Sequence, residues 1–293
     1  MPDVKVAVIG ARGRLGSAIV DALPYEVLTP GRDLLDLHAT DRIGSALDAL
    51  GPDLVINAAA YTDVDRAEEE RDAAMRINAD APREIGAWAA RNQVPLVHFS
   101  TDFVFSGRGE HPWSESSEAA PLNHYGMTKL EGERRVQEAG GAHLIVRTSW
   151  LFGRRGGSFV RSVLREGARG NDVTVVVDQI GSPTYVDDLA GGLVEIMSRS
   201  DALRSITSGV LHLANSGWVS RAALAAAAIH EATQLGILQR EVAVVETRTE
   251  NLASAARRPL NSRLDCIKAE VEYGVRLPGW EDALRRCLGE FVL

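Results

Sequence analysis

The stretch Val4-Lys5-Val6-Ala7-Val8-Ile9-Gly10-Ala11-Arg12-Gly13-Arg14-Leu15-Gly16 decides the fold. Residues 4–9 are mostly β-branched and apolar and read as a strand. Gly10, Gly13 and Gly16 follow at once, and a helical pattern runs on from Arg14 to about residue 23. A glycine at such a turn lets the backbone approach a pyrophosphate, which rests on helix N–H donors and the positive end of the dipole. The bare spacing means little in a chain with 27 glycines. The strand–turn–helix setting gives it weight, against the alternative of a tight turn that holds nothing. No Gly-Lys-Ser/Thr follows, which disfavours a P-loop.

Working outward, short β-rich runs alternate with helical patterns. Strands are expected at 26–28, 54–57, 96–100 and 144–148, with helices at 39–50 and 79–92. This order predicts an α/β, Rossmann-type doubly wound parallel sheet. Past Phe152 the pattern changes, with helices near 158–168, 187–198, 220–233 and 280–288 among strands at 173–177 and 210–214. The expected division is an NADP(H)-binding Rossmann domain over 1–152, joined by a later strand near 209–214. Residues 153–293 are then mainly a smaller substrate-binding domain.

The chain has 293 residues, 45% hydrophobic and 25% charged, as an ordinary globular protein does. Its longest apolar runs are far too short to cross a bilayer, and no basic-then-apolar leader is visible, so no membrane role is expected. Cys266 and Cys287 are the only cysteines, which gives neither a disulfide framework nor a metal clip. A cytoplasmic setting is the default expectation. A net charge of −8 argues against a nucleic-acid partner but not against a small phosphorylated ligand.

The end of the second strand bears on which dinucleotide is held. There the chain reads Leu28-Thr29-Pro30-Gly31-Arg32-Asp33. An acid at this place suits the ribose 2′-OH of NAD, and an arginine suits a 2′-phosphate. Arg12 and Arg32 could clamp that phosphate jointly, with Asp33 as a competing acid. NADPH is the expected cofactor, with NADH as the alternative.

Tyr125-Gly126-Met127-Thr128-Lys129 puts a phenol and an amine four residues apart, on one helix face. An ammonium near a phenol favours phenolate, bringing the phenol closer to the range where it exchanges a proton with a carbonyl. Random placement would give this pair roughly one time in twenty. Ser100-Thr101-Asp102 stands where a strand ends, the side of a doubly wound sheet on which ligands bind. A hydroxyl there can orient a substrate carbonyl, although a Ser/Thr turn is the plainer reading.

Together these residues resemble the extended short-chain dehydrogenase/reductases, and more narrowly the dTDP-4-dehydrorhamnose reductase family, nearly end to end. The glycine turn and the Tyr/Lys pair are shared across the superfamily. Arg147-Thr148-Ser149-Trp150, Asp178-Gln179-Ile180-Gly181-Ser182-Pro183-Thr184 and Arg258-Pro259-Leu260-Asn261-Ser262 are the more specific pieces. The resemblance implies that Tyr125 is the general acid, Lys129 its partner on the nicotinamide ribose, and Thr101 the group that orients the keto oxygen. It gives Gly10, Arg12, Gly13, Arg14, Leu15, Gly16, Arg32, Asp36, Leu37, Ala58, Ala59, Ala60 and Tyr61 to the cofactor. It gives Thr62, Val64, Asp102, Phe103, Trp150, Gln179 and Arg258 to the nucleotide sugar. Phe103 stands where the family commonly has tyrosine. Ser17 stands where some members carry a metal-binding acid, so no metal site is carried over.

The activity so implied is NADPH-dependent reduction of the C4 keto group of a dTDP-linked 4-keto-6-deoxysugar, dTDP-4-dehydro-L-rhamnose to dTDP-L-rhamnose. Two alternatives stay open: a related ketosugar reductase, for example toward a streptose-like product, and a non-catalytic NADP-binding subunit like the regulatory β-subunit of methionine adenosyltransferase. A homodimer is compatible with either.

Overall fold

The computed structural model describes residues 4–199 and 208–291. Its centre is a six-stranded, wholly parallel sheet. The strands are β1 (Lys5–Ile9), β2 (Glu26–Leu28), β3 (Leu54–Asn57), β4 (Leu96–Thr101), β5 (His143–Thr148) and the later strand Gly209–His212. The spatial order is β2-β1-β3-β4-β5, then Gly209–His212 at the far edge. That last strand pairs with β5 from Gly209 opposite Leu144 to His212 opposite Arg147.

Alternation along β1 explains why both faces are covered. Val6 and Val8 pack in one buried cluster with Leu15, Ile19, Leu54, Ile56 and Val97. Ala7 and Ile9 point the other way, into a cluster with Ile43, Leu47, Val55, Ile85 and Trp88. Successive side chains of a strand face opposite sides, so a run apolar at every position needs a helix layer on each. Helices Arg14–Ala22 and Val186–Arg199 pack against each other on the first side. Parallel neighbours require a crossover, and Val186–Arg199 is the helix leading back to the sheet's last strand. The later chain thus contributes a helix as well as a strand to the central layer.

The rest of the later chain forms small ladders around the strand ends. Ile180–Gly181 lies between Val219–Ser220 and Asn261–Ser262, and Val173–Val176 pairs with Val244–Thr247. No helix among the described residues is long and apolar enough to cross a membrane.

Helix His124–Ala139, which carries the Tyr/Lys pair, is fixed from three directions. At its start Asn123 accepts from the Gly126 N–H (2.8 Å) and donates to the Arg257 carbonyl (2.7 Å). A Cβ at Gly132 would lie 2.0 Å from the Asn78 carbonyl oxygen, so only glycine lets the helix approach the Arg76–Asp80 turn. From the sheet side, Arg147 on β5 grips Glu133 with two bonds of 2.9 and 2.6 Å, and Ser100 on β4 donates to the same carboxylate. Glu133 is 2% and Arg147 5% exposed.

Removing one member of a buried charge pair strands the other, at a cost of about 3–5 kcal/mol. Glu133→Ala and Arg147→Ala should each lower stability by about that much in equilibrium urea unfolding. The double variant Glu133→Leu/Arg147→Met should lose less than the two single losses combined. Strict additivity would show that the pair is not coupled.

Candidate active site

β1 has β2 on one side and β3 on the other, so the connections diverge at its carboxyl end. That is where doubly wound sheets open a crevice. A cleft of about 1220 Å³ lies there. Gly10 forms its floor with φ +84°, and a Cβ at this position would sit 2.7 Å from the Ala59 nitrogen. Gly16 packs beneath, where a Cβ would lie 2.1 Å from the Gly10 carbonyl oxygen. The helix that follows starts at Gly13 with no side chain capping its first N–H groups. A floor that admits no side chain and a helix start with free donors fit a dinucleotide pyrophosphate.

Gly10, Arg12, Gly13, Arg14 and Leu15 line the cleft from the turn, and Arg32, Asp36 and Leu37 line it beyond β2. Arg12 reaches across to the second group: a Cβ at Gly31 would be 3.9 Å from its Nη2. Ala58, Ala59 and Ala60 form the wall after β3, and Tyr125 and Lys129 also line the cleft. Two expected cofactor residues do not line it. Gly16 acts from below, and Tyr61 turns its hydroxyl to Glu70 (2.6 Å), while its backbone N–H donates to Asn78 (2.8 Å).

Lys129 is buried, and its ammonium donates to the Phe99 carbonyl at 2.7 Å. His98 Nε2 lies 3.4 Å from the same nitrogen. Asn57 accepts from the Ala59 N–H, which turns its amide nitrogen toward His98 Nδ1 at 3.1 Å. Burial holds His98 neutral, well below its ordinary value, with the Lys129 charge adding to the effect. Burial also lowers Lys129 to about 8, with Glu133 opposing.

The phenol behaves differently from the simple expectation. Burial raises Tyr125 to about 12, and the neighbouring Thr101 hydroxyl offsets only part of this. Desolvation dominates the phenol, and Lys129 is not among the groups that lower it. The amine instead donates to the Phe99 carbonyl and lies beside the buried imidazole. A neutral phenol is the form that gives a proton away.

Beyond the tyrosine, loops after β3, β4 and β5 converge with the later chain. The Thr101 hydroxyl accepts from the Phe103 N–H (3.2 Å) and contacts Asp102 Oδ1 at 3.1 Å. The Phe103 ring stands edge-on to Tyr125, centroids 5.6 Å apart. Asp102 is 2% exposed, and burial raises its carboxyl to about 6. Trp150 has a left-handed backbone, φ 47°, and the Arg221 guanidinium lies 3.5 Å from its ring centroid. Gln179 donates to Thr249 (3.1 Å) and accepts the Arg221 N–H at its carbonyl (3.1 Å). Thr62 lines the cleft; Val64 is half-buried in the same loop, outside it. Arg258 is tied to Asp65 by bonds of 2.6 and 2.9 Å and also donates to the Ala256 carbonyl, so its charge is largely answered within the protein.

Sequence reasoning passed over Arg221, Asn78, His98 and Glu133. Arg221 left one signal. It is the first residue of helix Arg221–Gln234, capped by Ser220. A cation there opposes the helix dipole, which singles it out for another task. Asn78 binds both the Tyr61 backbone and Thr128, and nothing in its local sequence foretells that.

The RmlD substrate binding domain family matches residues 4–293. A dTDP-4-dehydrorhamnose reductase of Sinorhizobium fredii is 37% identical over 293 residues, 99% of this chain and 98% of that protein. The Escherichia coli enzyme of the same name is 34% identical, covering 98% of each. Among solved structures, the Bacillus anthracis dTDP-4-dehydrorhamnose reductase in complex with NADP superimposes with a TM-score of 0.89 at 33% identity, covering 97% of this chain and 98% of that one. A Thermus thermophilus UDP-glucose 4-epimerase, at 18% identity and a TM-score of 0.78, shares the fold. With its glycine-floored cleft, its Tyr125/Lys129 helix and a match over nearly its whole length, the chain belongs to the RmlD family of dTDP-4-dehydrorhamnose reductases.

Proposed function

We propose that the chain catalyses the reaction of its family: NADPH-dependent reduction of the C4 keto group of a dTDP-linked 4-keto-6-deoxysugar, dTDP-4-dehydro-L-rhamnose to dTDP-L-rhamnose. The observation that carries the reading is that Tyr125 and buried Lys129 line the glycine-floored cleft together, with the Thr101 hydroxyl neighbouring the phenol. In this reading residues 1–152 hold the dinucleotide and residues 153–293 mainly close over the sugar nucleotide. The cytoplasmic setting, the default expectation from the composition, and a homodimeric assembly belong to the same proposal.

Bound NADPH supplies the hydride that reduces C4. The chain's own part is to place the keto carbon and to receive the charge that develops on its oxygen. Thr101 and Tyr125 donate hydrogen bonds to that oxygen, and Tyr125 transfers its proton, leaving the C4 alcohol. A phenol held near 12 is fully protonated at neutral pH, as a donor must be. Lys129 then offsets the phenolate and holds the nicotinamide ribose. Gly10, Gly13, Gly16 and the first N–H groups of the helix hold the pyrophosphate. Arg12 and Arg32 take the 2′-phosphate, and Asp36 lies by the adenine. Trp150, Gln179, Thr62 and Val64 line the sugar-nucleotide side. Arg221 joins Arg258 there for the diphosphate, because Arg221 makes no ion pair among the described residues whereas Arg258 is held by Asp65.

Three measurements test this. NADPH oxidation should follow dTDP-4-dehydro-L-rhamnose mole for mole, and NMR of the product should show a new C4 alcohol. Reduction at another carbon would move the chain to a different ketosugar reaction. Tyr125→Phe should lower kcat by about 10²–10⁴-fold with KM little changed, because the proton is needed only in the transition state. Replacing both Arg12 and Arg32 by alanine should cut kcat/KM for NADPH by about tenfold to a hundredfold and leave NADH nearly unchanged. That is the size of one or two charge-assisted hydrogen bonds.

A further inference from the structure

Thr101 can give away only one hydrogen, and three groups compete around it. A hydroxyl has a single O–H and two lone pairs. The Phe103 N–H takes one lone pair at 3.2 Å. In the geometry present, the O–H points to Asp102 Oδ1 at 3.1 Å. The Tyr125 phenol is the third neighbour, near enough to the same oxygen for its hydrogen to be drawn there. If Asp102 is ionised it accepts only, so it holds the Thr101 hydrogen. The second lone pair of Thr101 then takes the phenol hydrogen. In that state neither hydroxyl is aimed at a substrate. If Asp102 carries a proton, it donates into the second lone pair instead. The Thr101 hydrogen and the Tyr125 hydrogen are then both released toward a keto oxygen.

We propose that Asp102 is a positioning residue whose proton turns the Thr101 and Tyr125 hydroxyls from each other toward the substrate carbonyl. The inference rests on the reductase reading above, which assigns those two hydroxyls to the keto oxygen but gives Asp102 no part in aiming them. No proton leaves Asp102 in the reaction. Its hydrogen stays in the bond to Thr101, and the proton transferred to the alkoxide is that of Tyr125.

The surroundings of Asp102 suit such a role. It is 2% exposed at the end of β4, and burial brings its carboxyl to about 6. Arg221 faces it from helix Arg221–Gln234 and favours the ionised form. The Ser262 hydroxyl faces it from strand Asn261–Ser262, and Thr101 from its own strand, both also favouring ionisation. Tyr125 faces it from helix His124–Ala139. Arg258 lies behind Arg221, with its own charge answered by Asp65. Desolvation outweighs these partners, so the folded value lies above that of an exposed aspartate. The sign follows: the aiming proton is present below about 6 and is lost as pH rises through it.

The test uses the full chain and two variants. For the wild type, kcat/KM with a dTDP-4-ketosugar should fall at least about tenfold between pH 6 and 8, as expected of one essential protonated group. In Asp102→Asn the amide N–H₂ donates to Thr101 at every pH, so the profile should flatten to within about twofold over that range. A flat wild-type profile, an unchanged fall in the asparagine variant, or a folded, NADPH-binding asparagine variant inactive at all pH values would each overturn the proposal. A second readout needs no turnover. Carboxyl ¹³C NMR should show Asp102 titrating near 6 in the wild type, with a higher midpoint in Thr101→Val, where the donor to the carboxylate is gone. A midpoint near that of exposed aspartates, or no response to Thr101→Val, would overturn it. If no ketosugar is turned over at any pH, the reductase reading fails, while the NMR titration still decides the Asp102–Thr101 exchange.

Discussion

The buried grip of Arg147 on Glu133 is the contact on which the rest of the site depends. It ties β5 to helix His124–Ala139, and Ser100 ties β4 to the same carboxylate. A helix lying over a sheet can slide along it or roll on it while keeping its apolar contacts. A bidentate ion pair in a dry setting permits neither, because a small displacement would leave two charges without partners. Four residues before Glu133 stands Lys129, and eight before it stands Tyr125. The pair therefore sets the height and rotation at which the phenol and the amine meet the end of β4.

The site is built as a sequence of desolvated groups, each constraining the next. Asn57 orients His98, His98 and the Phe99 carbonyl occupy Lys129, and the phenol is left neutral and high in pKa. That suits the proposed reduction, in which the tyrosine would give up its proton. Beside it, the Thr101 hydroxyl contacts Asp102, whose carboxyl burial pushes up to about 6. Water in this corner would dissolve these distinctions, since exposed groups return toward their ordinary values. The aromatic contacts of Phe103 on Tyr125 and Arg221 on Trp150 surround the same corner.

Much was legible in the sequence, and the reason is locality. The first strand, the glycine turn and the helix after it are written in consecutive residues, and so are the apolar runs of β3, β4 and β5. The i, i+4 spacing of Tyr125 and Lys129 belongs to one helix. The turn, the alanines after β3 and that helix line one cleft. Less legible was the share of the later chain in the sheet: the Gly209–His212 strand was expected, but the Val186–Arg199 helix packs on the first helix as its companion.

What the sequence determined by itself was the identity and order of the chemistry: a dinucleotide turn, a phenol–amine helix, and a hydroxyl at a strand end. Only the tertiary structure decided how those groups are charged and aimed. Tyr125 was expected to lose its proton more easily beside Lys129, and burial instead holds that proton more firmly. Arg258 stood in the sequence as a free cation, and Asp65, 193 residues away, claims it. Arg221 had no motif, yet it lies on Trp150 and faces Asp102. Spacing along a chain specifies which side chains share an element. Desolvation and charge pairing depend on what packs against that element from elsewhere, and no local pattern encodes it.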